Sequence, residues 1–416
     1  MIHVDTFTLP NGLRVVHNFH PQAVLSAVEI VYLTGARDER EDATGLAHLF
    51  EHLMFGGTPA VPDFDSVLEA AGGYSNAATS SDFTYFYDIL PVQNIETALW
   101  LESDRMRGLA FSPRSLEVQR HVVIEEFKET HLNTPYGGVQ HALLPLMYSK
   151  HPYRWPVIGI SPDHISRVTI HDVKDWFYSH YAPDNAVLSI VGNITFGKVK
   201  ELVHKYFGDI PPRDIAERNL TDDPRPVEPH EVTIYDRVPQ TQITIAYRMS
   251  PYGTSEYLAA DAISDILSNG KSARLPQRLV REMELFTTVD ASITGSEHSG
   301  LFLLTGRVAD ESDDAINTAK EALMAQARAL AQADTASDEE LERAKNLYDA
   351  TLTYANVSAP GKAHNIAMAA VHGEDINSMV AAYRSLTVAD IAAEARELFI
   401  DHAPGIVICR PASGQE

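Results

Sequence analysis

His48, Glu51 and His52 form an H-x-x-E-H array within Gly45-Leu46-Ala47-His48-Leu49-Phe50-Glu51-His52-Leu53-Met54-Phe55-Gly56-Gly57. At helical spacing they are positions i, i+3 and i+4, so their side chains share one face. In a segment this apolar, such a face would ordinarily be filled by Leu or Val. Three ionisable groups in their place cost stability unless something compensates them, and a divalent metal does so. The array is the inverse of the H-E-x-x-H arrangement that holds zinc. Catalytic zinc takes three protein ligands and keeps a fourth position for water, with two His and one Glu a common set. A third ligand must therefore come from elsewhere in the chain.

Residues 115–130 offer Glu117, Glu125, Glu126 and Glu129. If this stretch is one helix, Val122, Val123 and Phe127 mark its buried side. Glu126 follows the two valines by four and three residues and shares that side, where a carboxylate needs a cation. Glu129 stays open as a second choice, since a small change of helical phase exchanges the two. A solvated acidic face is the competing reading for all four.

The chain as a whole sets bounds on what this constellation can serve. Its 416 residues exceed the size at which one core keeps growing, so two domains are expected. With 33 basic and 57 acidic residues the formal charge is −24. That excludes the basic footprint of a nucleic-acid binder and suits attraction of basic peptides. A single cysteine, Cys409, allows no intrachain disulfide and fits a reducing compartment. The first dozen residues lack a basic and apolar leader, and no run approaches ~18 apolar residues. The bacterial cytoplasm is the expected location; a periplasmic mature form, its leader removed before this numbering, is the alternative.

Strands are expected at 6–9 and 13–16 around the turn Pro10-Asn11-Gly12, and at 24–33, 83–90 and 186–191. Residues 74–79 read as irregular, and 133–169 as a loop rich in Pro and Gly. Helices are expected at 64–71, 95–108, 113–132, 170–180 and 196–207. A proline-rich, charged stretch at 211–229 reads as a linker. Beyond it the pattern restarts. Residues 242–248 match 24–33, 257–267 match the metal-motif helix, and 301–308 match 83–90. Helices at 314–333 and 337–355 match the pair at 95–132, 386–391 match 168–173, and 405–408 match 186–191. The fold expected is α+β, with two homologous units of about 200 residues, each a mainly antiparallel sheet packed with helices. The domains are expected at 1–210 and 230–416. The second copy reads Tyr257-Leu258-Ala259-Ala260-Asp261-Ala262 where the first has its metal motif, so only one copy carries metal.

HLFEHLMFGGT followed by RHVVIEEF closely resembles the insulinase and pitrilysin family of inverted zincins, particularly its mitochondrial-processing-peptidase-like branch. The likeness runs through the whole chain: Leu9-Pro10-Asn11-Gly12-Leu13, Gly72-Gly73 to Thr79, Thr84 to Tyr87, Pro152-Tyr153, Tyr181 with Pro183 and Asn185, and Val191-Gly192. It implies a zinc metalloendopeptidase with one zinc per chain, bound by His48, His52 and Glu126, and with Glu51 as catalytic base. The 73 residues between His52 and Glu126 are close to the family's usual spacing. The resemblance further implies an added-strand mode of binding for extended or unfolded peptides, at an edge formed by Asn76, Ala77 and the segment around Thr79. A clamshell of the two domains, built with a second subunit, is part of the same expectation.

Two positions depart from the family. Members usually carry an acidic residue seven positions before the glutamate ligand; here it is Gln119. Active members also offer an Arg and, about a dozen residues on, a Tyr that contact substrate. Arg274 supplies the first, and Phe286-Thr287-Thr288 holds no Tyr. The resemblance therefore implies a dimer of one of two kinds. One is a heterodimer in which a zinc-less paralogue brings the Arg/Tyr pair; the other is a homodimer using Thr287 or Tyr252. A non-catalytic scaffold subunit is the remaining alternative.

Overall fold

The computed structural model describes all residues except 216, 219, 222, 333, 334 and 413–416. In its first half the chain runs β1 (Asp5–Thr8), β2 (Arg14–Phe19), β3 (Leu25–Tyr32), α1 (Leu46–Leu53), α2 (Phe64–Ala70), β4 (Tyr74–Thr79), β5 (Thr84–Pro91), α3 (Ile95–Arg107), α4 (Pro113–Phe127), α5 (Val139–Met147), α6 (Pro162–Arg167), α7 (Ile170–His180), β6 (Ala186–Gly192) and α8 (Phe196–Phe207). The second half runs β7 (His230–Asp236), β8 (Gln242–Met249), α9 (Ser255–Ser268), β9 (Phe286–Ile293), β10 (Gly300–Val308), α10 (Asp313–Ala329), α11 (Asp338–Ala355), α12 (Ala359–His372), α13 (Ser378–Ser385), α14 (Val388–Phe399) and β11 (Gly405–Pro411). No helix among the described residues is long and apolar enough to cross a membrane.

The first sheet has the order β1-β2-β6-β3-β5-β4 and the second β7-β11-β8-β10-β9. With β1 set aside, the two orders coincide strand for strand. In each, one neighbouring pair is parallel (β2/β6 and β7/β11) and the rest are antiparallel. The duplication expected from the recurring pattern is therefore an α+β unit made twice.

Two compact units result, each drawn from separated stretches of chain. One comprises Met1–Phe127, Trp155–Leu220 and Leu352–Ser378; the other comprises Lys128–Arg154, Thr221–Thr351 and Met379–Glu416. In the first unit α12 covers the second face of the sheet, setting Ala363, Ile366 and Ala369 against Val16, Ala27, Val187 and Val191. In the second, α5 does the same with Val139, Leu143, Leu144 and Met147 against Ala246, Leu301 and Val407. β6 is buried along its whole length for this reason, and its unbroken apolar run reflects a strand covered on both faces. The ranges 1–210, 211–229 and 230–416 divide the chain once and contain no exchange of this kind.

Two local expectations are corrected. Residues 74–79 form β4, paired with β5 from Tyr74↔Ile89 to Thr79↔Thr84. Ser, Asn and Ala have poor strand propensity, and pairing with an aromatic-rich neighbour overrides it. The stretch 133–169 holds α5 and α6 besides turns; α5 carries an internal Pro145 and is sustained by its apolar contacts.

Candidate metal centre

The N-cap of α1 is Gly45, whose φ of +85° lies in the left-handed region. A Cβ there would come within 2.6 Å of the Ile158 carbonyl oxygen, so glycine is required twice over. Gly45 has no side chain to cap the helix, and Glu39 caps it from outside. Its Oε2 accepts from the Gly45 amide at 2.9 Å and its Oε1 from the Ala47 amide at 2.7 Å. The buried Arg37–Asp82 ion pair at 2.8 Å holds the loop that delivers Glu39. On the inner side of α1, Phe50 lies against Tyr181 and Phe177, with ring centroids at 4.4 and 6.1 Å. Burial of a ring this size contributes about 2–3 kcal/mol. With that side fixed in the core, His48, Glu51 and His52 are carried on the other.

Glu39 leads to a pH prediction. Burial pushes its carboxyl up from an ordinary 4.5 to about 8, against the pull of the main-chain amides it accepts from. A carboxyl raised in the folded state holds its proton more tightly there than in the unfolded chain. Its contribution is thus fully present below about pH 4.5 and is lost as pH rises through about 8. Thermal melts across pH 5 to 8 should show wild type losing stability relative to Glu39→Gln as pH rises. A parallel pair of curves would contradict this.

α4 lies beside α1 and brings in the third group. Glu126 Oε1 is 3.8 Å from His48 Nε2, and its Oε2 is 3.5 Å from His52 Nε2. One donor atom from each residue falls within 4.8 Å of the others, the only such set of three among the described residues. Donors at about 2.0–2.2 Å around a tetrahedral ion stand roughly 3.4 Å apart, so the two carboxylate–imidazole distances are close to what zinc requires. The two imidazoles meet edge to face, with centroids 4.9 Å apart. Burial pulls His48 down to about 4, with the neighbouring His52 adding to the effect. His48 is therefore a neutral imidazole at ordinary pH, which is the form a metal takes.

Glu51 points from the same face but is not one of this set of three. Its Oε2 accepts from Thr79 Oγ1 at 2.5 Å. Burial pushes its carboxyl up; the Thr79 hydroxyl opposes that, and the charge of Glu126 adds to it. A carboxylate with this affinity for a proton, held beside the three donors, is suited to proton transfer.

On α4, Leu116, Val123 and Phe127 are buried, whereas Val122, expected on that side, is 44 % exposed. The stripe Gln119, Val122 and Glu126 forms a half-open face, and Glu126 is 39 % exposed at its side chain. Its carboxylate is thus placed toward α1 and solvent, not into a core. Glu129 is exposed in the turn Lys128–Asn133. Asn76, Ala77 and Thr79 lie on β4, the last strand of its sheet, and the Ala77 amide donates to Asn76 Oδ1 at 2.8 Å. Arg274 belongs to the second unit. Its Nε and Nη2 are bound by Glu340 at 2.7 Å each, and Nη2 also donates to the Thr335 carbonyl at 2.5 Å. In the same unit Thr287 donates to Gln240 Oε1 at 3.1 Å, and the Tyr252 hydroxyl meets Met379 Sδ at 3.4 Å. Glu39 is the residue sequence reasoning missed. It stands six positions ahead of the N-cap Gly45, outside any capping-box spacing, so nothing local marks it.

A duplicated α+β chain whose first copy gathers two histidines and a glutamate has the architecture of a two-domain metallopeptidase. Residues 14–159 match the family described as Insulinase (Peptidase family M16), and residues 167–348 match Peptidase M16 inactive domain. The chain belongs to the M16 insulinase family. It is 30% identical over 290 residues to the zinc protease PqqE of Helicobacter pylori, over 68% of this chain and 64% of that protein. It thus spans somewhat under two thirds of that relative. A probable mitochondrial-processing peptidase subunit beta of Schizosaccharomyces pombe is 27% identical over 74% of this chain and 71% of its own. The crystal structure of a protease from Helicobacter pylori superposes with a TM-score of 0.90 at 25% identity, covering 99% of this chain and all of that one.

Proposed function

We propose that the chain is a zinc-dependent endopeptidase that hydrolyses extended or unfolded peptides. The observation that carries this is the convergence of His48, His52 and Glu126 to zinc-ligand spacing with Glu51 alongside. Zinc held by those three would polarise the scissile carbonyl and acidify a bound water toward ~7. Glu51 takes the proton as the water oxygen bonds to the carbonyl carbon, and gives it to the amine as the C–N bond breaks. β4 offers its unpaired edge to the substrate main chain near Asn76 and Ala77, which favours segments without structure of their own. The lone, buried Cys409 suits a reducing compartment, so the cytoplasm is the location in this reading.

Thr79 positions Glu51. Thr79→Val removes the hydroxyl donor while keeping the shape, and the Glu51 carboxyl then rises further. The acid limb of kcat against pH should move to higher pH and kcat at neutral pH should fall about tenfold, with KM little changed. An unmoved acid limb would show that Thr79 does not act through Glu51.

A second reading is favoured by Arg274. Its guanidinium is bound bidentately by Glu340, and no Tyr stands at 286–288. In this reading the chain is the zinc-bearing half of a heterodimer, with a zinc-less paralogue supplying substrate contacts. Incubation with a reduced, carboxymethylated polypeptide and with its folded parent separates the two. Cleavage of the unfolded form by the chain alone supports the first reading. Cleavage only after addition of the paralogue supports the second, and none under either condition refutes both.

A further inference from the structure

The second unit contains a cleft of about 700 Å³ between the start of α9 and α14, and four acidic residues line it: Glu256, Asp390, Glu394 and Glu397. Small residues, among them Gly253, Ala259 and Ala393, leave the space open. Two of the acids have evident local duties. Asp390 closes the capping box of α14 with Thr387, and Glu397 accepts from Arg225 at 2.7 Å and meets His402 Nε2 at 3.0 Å. Glu256 has a contact with the Ser255 hydroxyl.

Glu394 has no such duty. It is only 4 % exposed, and its Oε1 is buried without a hydrogen-bond partner. A carboxylate buried this way is costly, and the protein repeats the same helix in a form that avoids the cost. α7 and α14 both begin with a Thr capping box, Thr169 with Asp172 and Thr387 with Asp390. The four buried positions of α7, Val173, Trp176, Phe177 and His180, recur in α14 as Ile391, Glu394, Ala395 and Leu398, and α14 buries Phe399 besides. Where the first copy fills the position with Trp176, its ring centroid 4.1 Å from that of His180 and tilted by 30°, the second places Glu394. The fold is therefore satisfied by an aromatic ring there and does not call for a carboxylate.

We propose that this cleft binds an extended organic cation carrying more than one ammonium or guanidinium group, with Glu394 as its buried anchor. Direct coordination of a metal ion is disfavoured, since among the described residues none of these acids belongs to a compact set of three donors. Carboxylates dispersed along a cleft match the separated charges of a polyamine or of neighbouring basic side chains in a peptide. Burial pushes the Glu394 carboxyl up to about 7, with Arg225 opposing and Glu256 and Glu397 adding; a bound cation would relieve that strain.

The test is calorimetric titration of the full chain with spermidine and, separately, with acetyl-dilysine amide. Wild type should show saturable binding at one site per chain. Glu394→Gln, which keeps the shape and removes the charge, should weaken it at least tenfold. Ala393→Phe, which fills the cleft and leaves every acid in place, should do the same. Glu201→Gln, an exposed acid on α8, should change nothing. Binding of spermidine alone assigns the cleft to free polyamines; binding of the dipeptide assigns it to basic segments of a polypeptide. No saturable binding of either probe, or equal affinity in Glu394→Gln and wild type, overturns the proposal.

Discussion

Glu51→Gln should bind one zinc per chain and hydrolyse an unfolded peptide about a thousandfold more slowly than wild type. Gln keeps the length of the side chain and an oxygen to accept from Thr79 Oγ1, so α1 and its histidines stay in place. What it loses is the proton acceptor, and general-base contributions run to roughly 10²–10⁴ in rate. A thousandfold loss is about 4 kcal/mol of transition-state stabilisation. The loss should fall on kcat, because Glu51 acts on the reacting water and not on the ground-state peptide. Metal content by atomic emission beside kcat and KM decides the matter. A zinc-loaded Glu51→Gln chain that cleaves at the wild-type rate would remove Glu51 from the chemistry.

Glu126→Ala should abolish stoichiometric zinc binding, and Glu125→Ala and Glu129→Ala should not. The three carboxylates are close in sequence, but only Glu126 reaches both imidazoles, at 3.8 and 3.5 Å. Changes in groups that merely support a ligand cost 10–100-fold in metal affinity, and loss of the ligand itself should exceed that. His52→Ala should fail in the same way, since it removes one donor of the same set. Competition against a chromophoric zinc chelator measures all four variants on one scale. Zinc retained by Glu126→Ala but lost from Glu129→Ala would put the third ligand in the turn after α4.

The face carrying His48, Glu51 and His52 was legible because its signal is local. Positions 48, 51 and 52 are neighbours on one helix, and apolar Leu49, Phe50 and Leu53 announce the side that is buried. Glu126 was legible through helical phase, although Val122, one of the residues marking the expected buried side, is exposed. The stripe it shares with Glu126 faces a half-open site, and apolar character alone does not tell a site wall from a core. The duplication was readable from the recurring strands and helices, and the two sheet orders repeat it. Two features were not readable. The placement of α5 and α12 depends on which unit each helix packs into, and an amphipathic pattern names a buried face without naming its partner. Glu394 lies three residues past the repeat visible at Leu386 to Ile391, and a helical Glu reads as solvent-facing until its surroundings are seen.

The most direct test of the account is a zinc titration of activity. The chain is stripped with chelator, dialysed, and returned to zinc in steps while cleavage of an unfolded peptide is followed. Activity should be absent in the stripped chain, rise linearly, and break at one zinc per chain, with no rise in Glu126→Ala. Full cleavage by the stripped chain, or a rise that persists in Glu126→Ala, would contradict a zinc centre built from His48, His52 and Glu126.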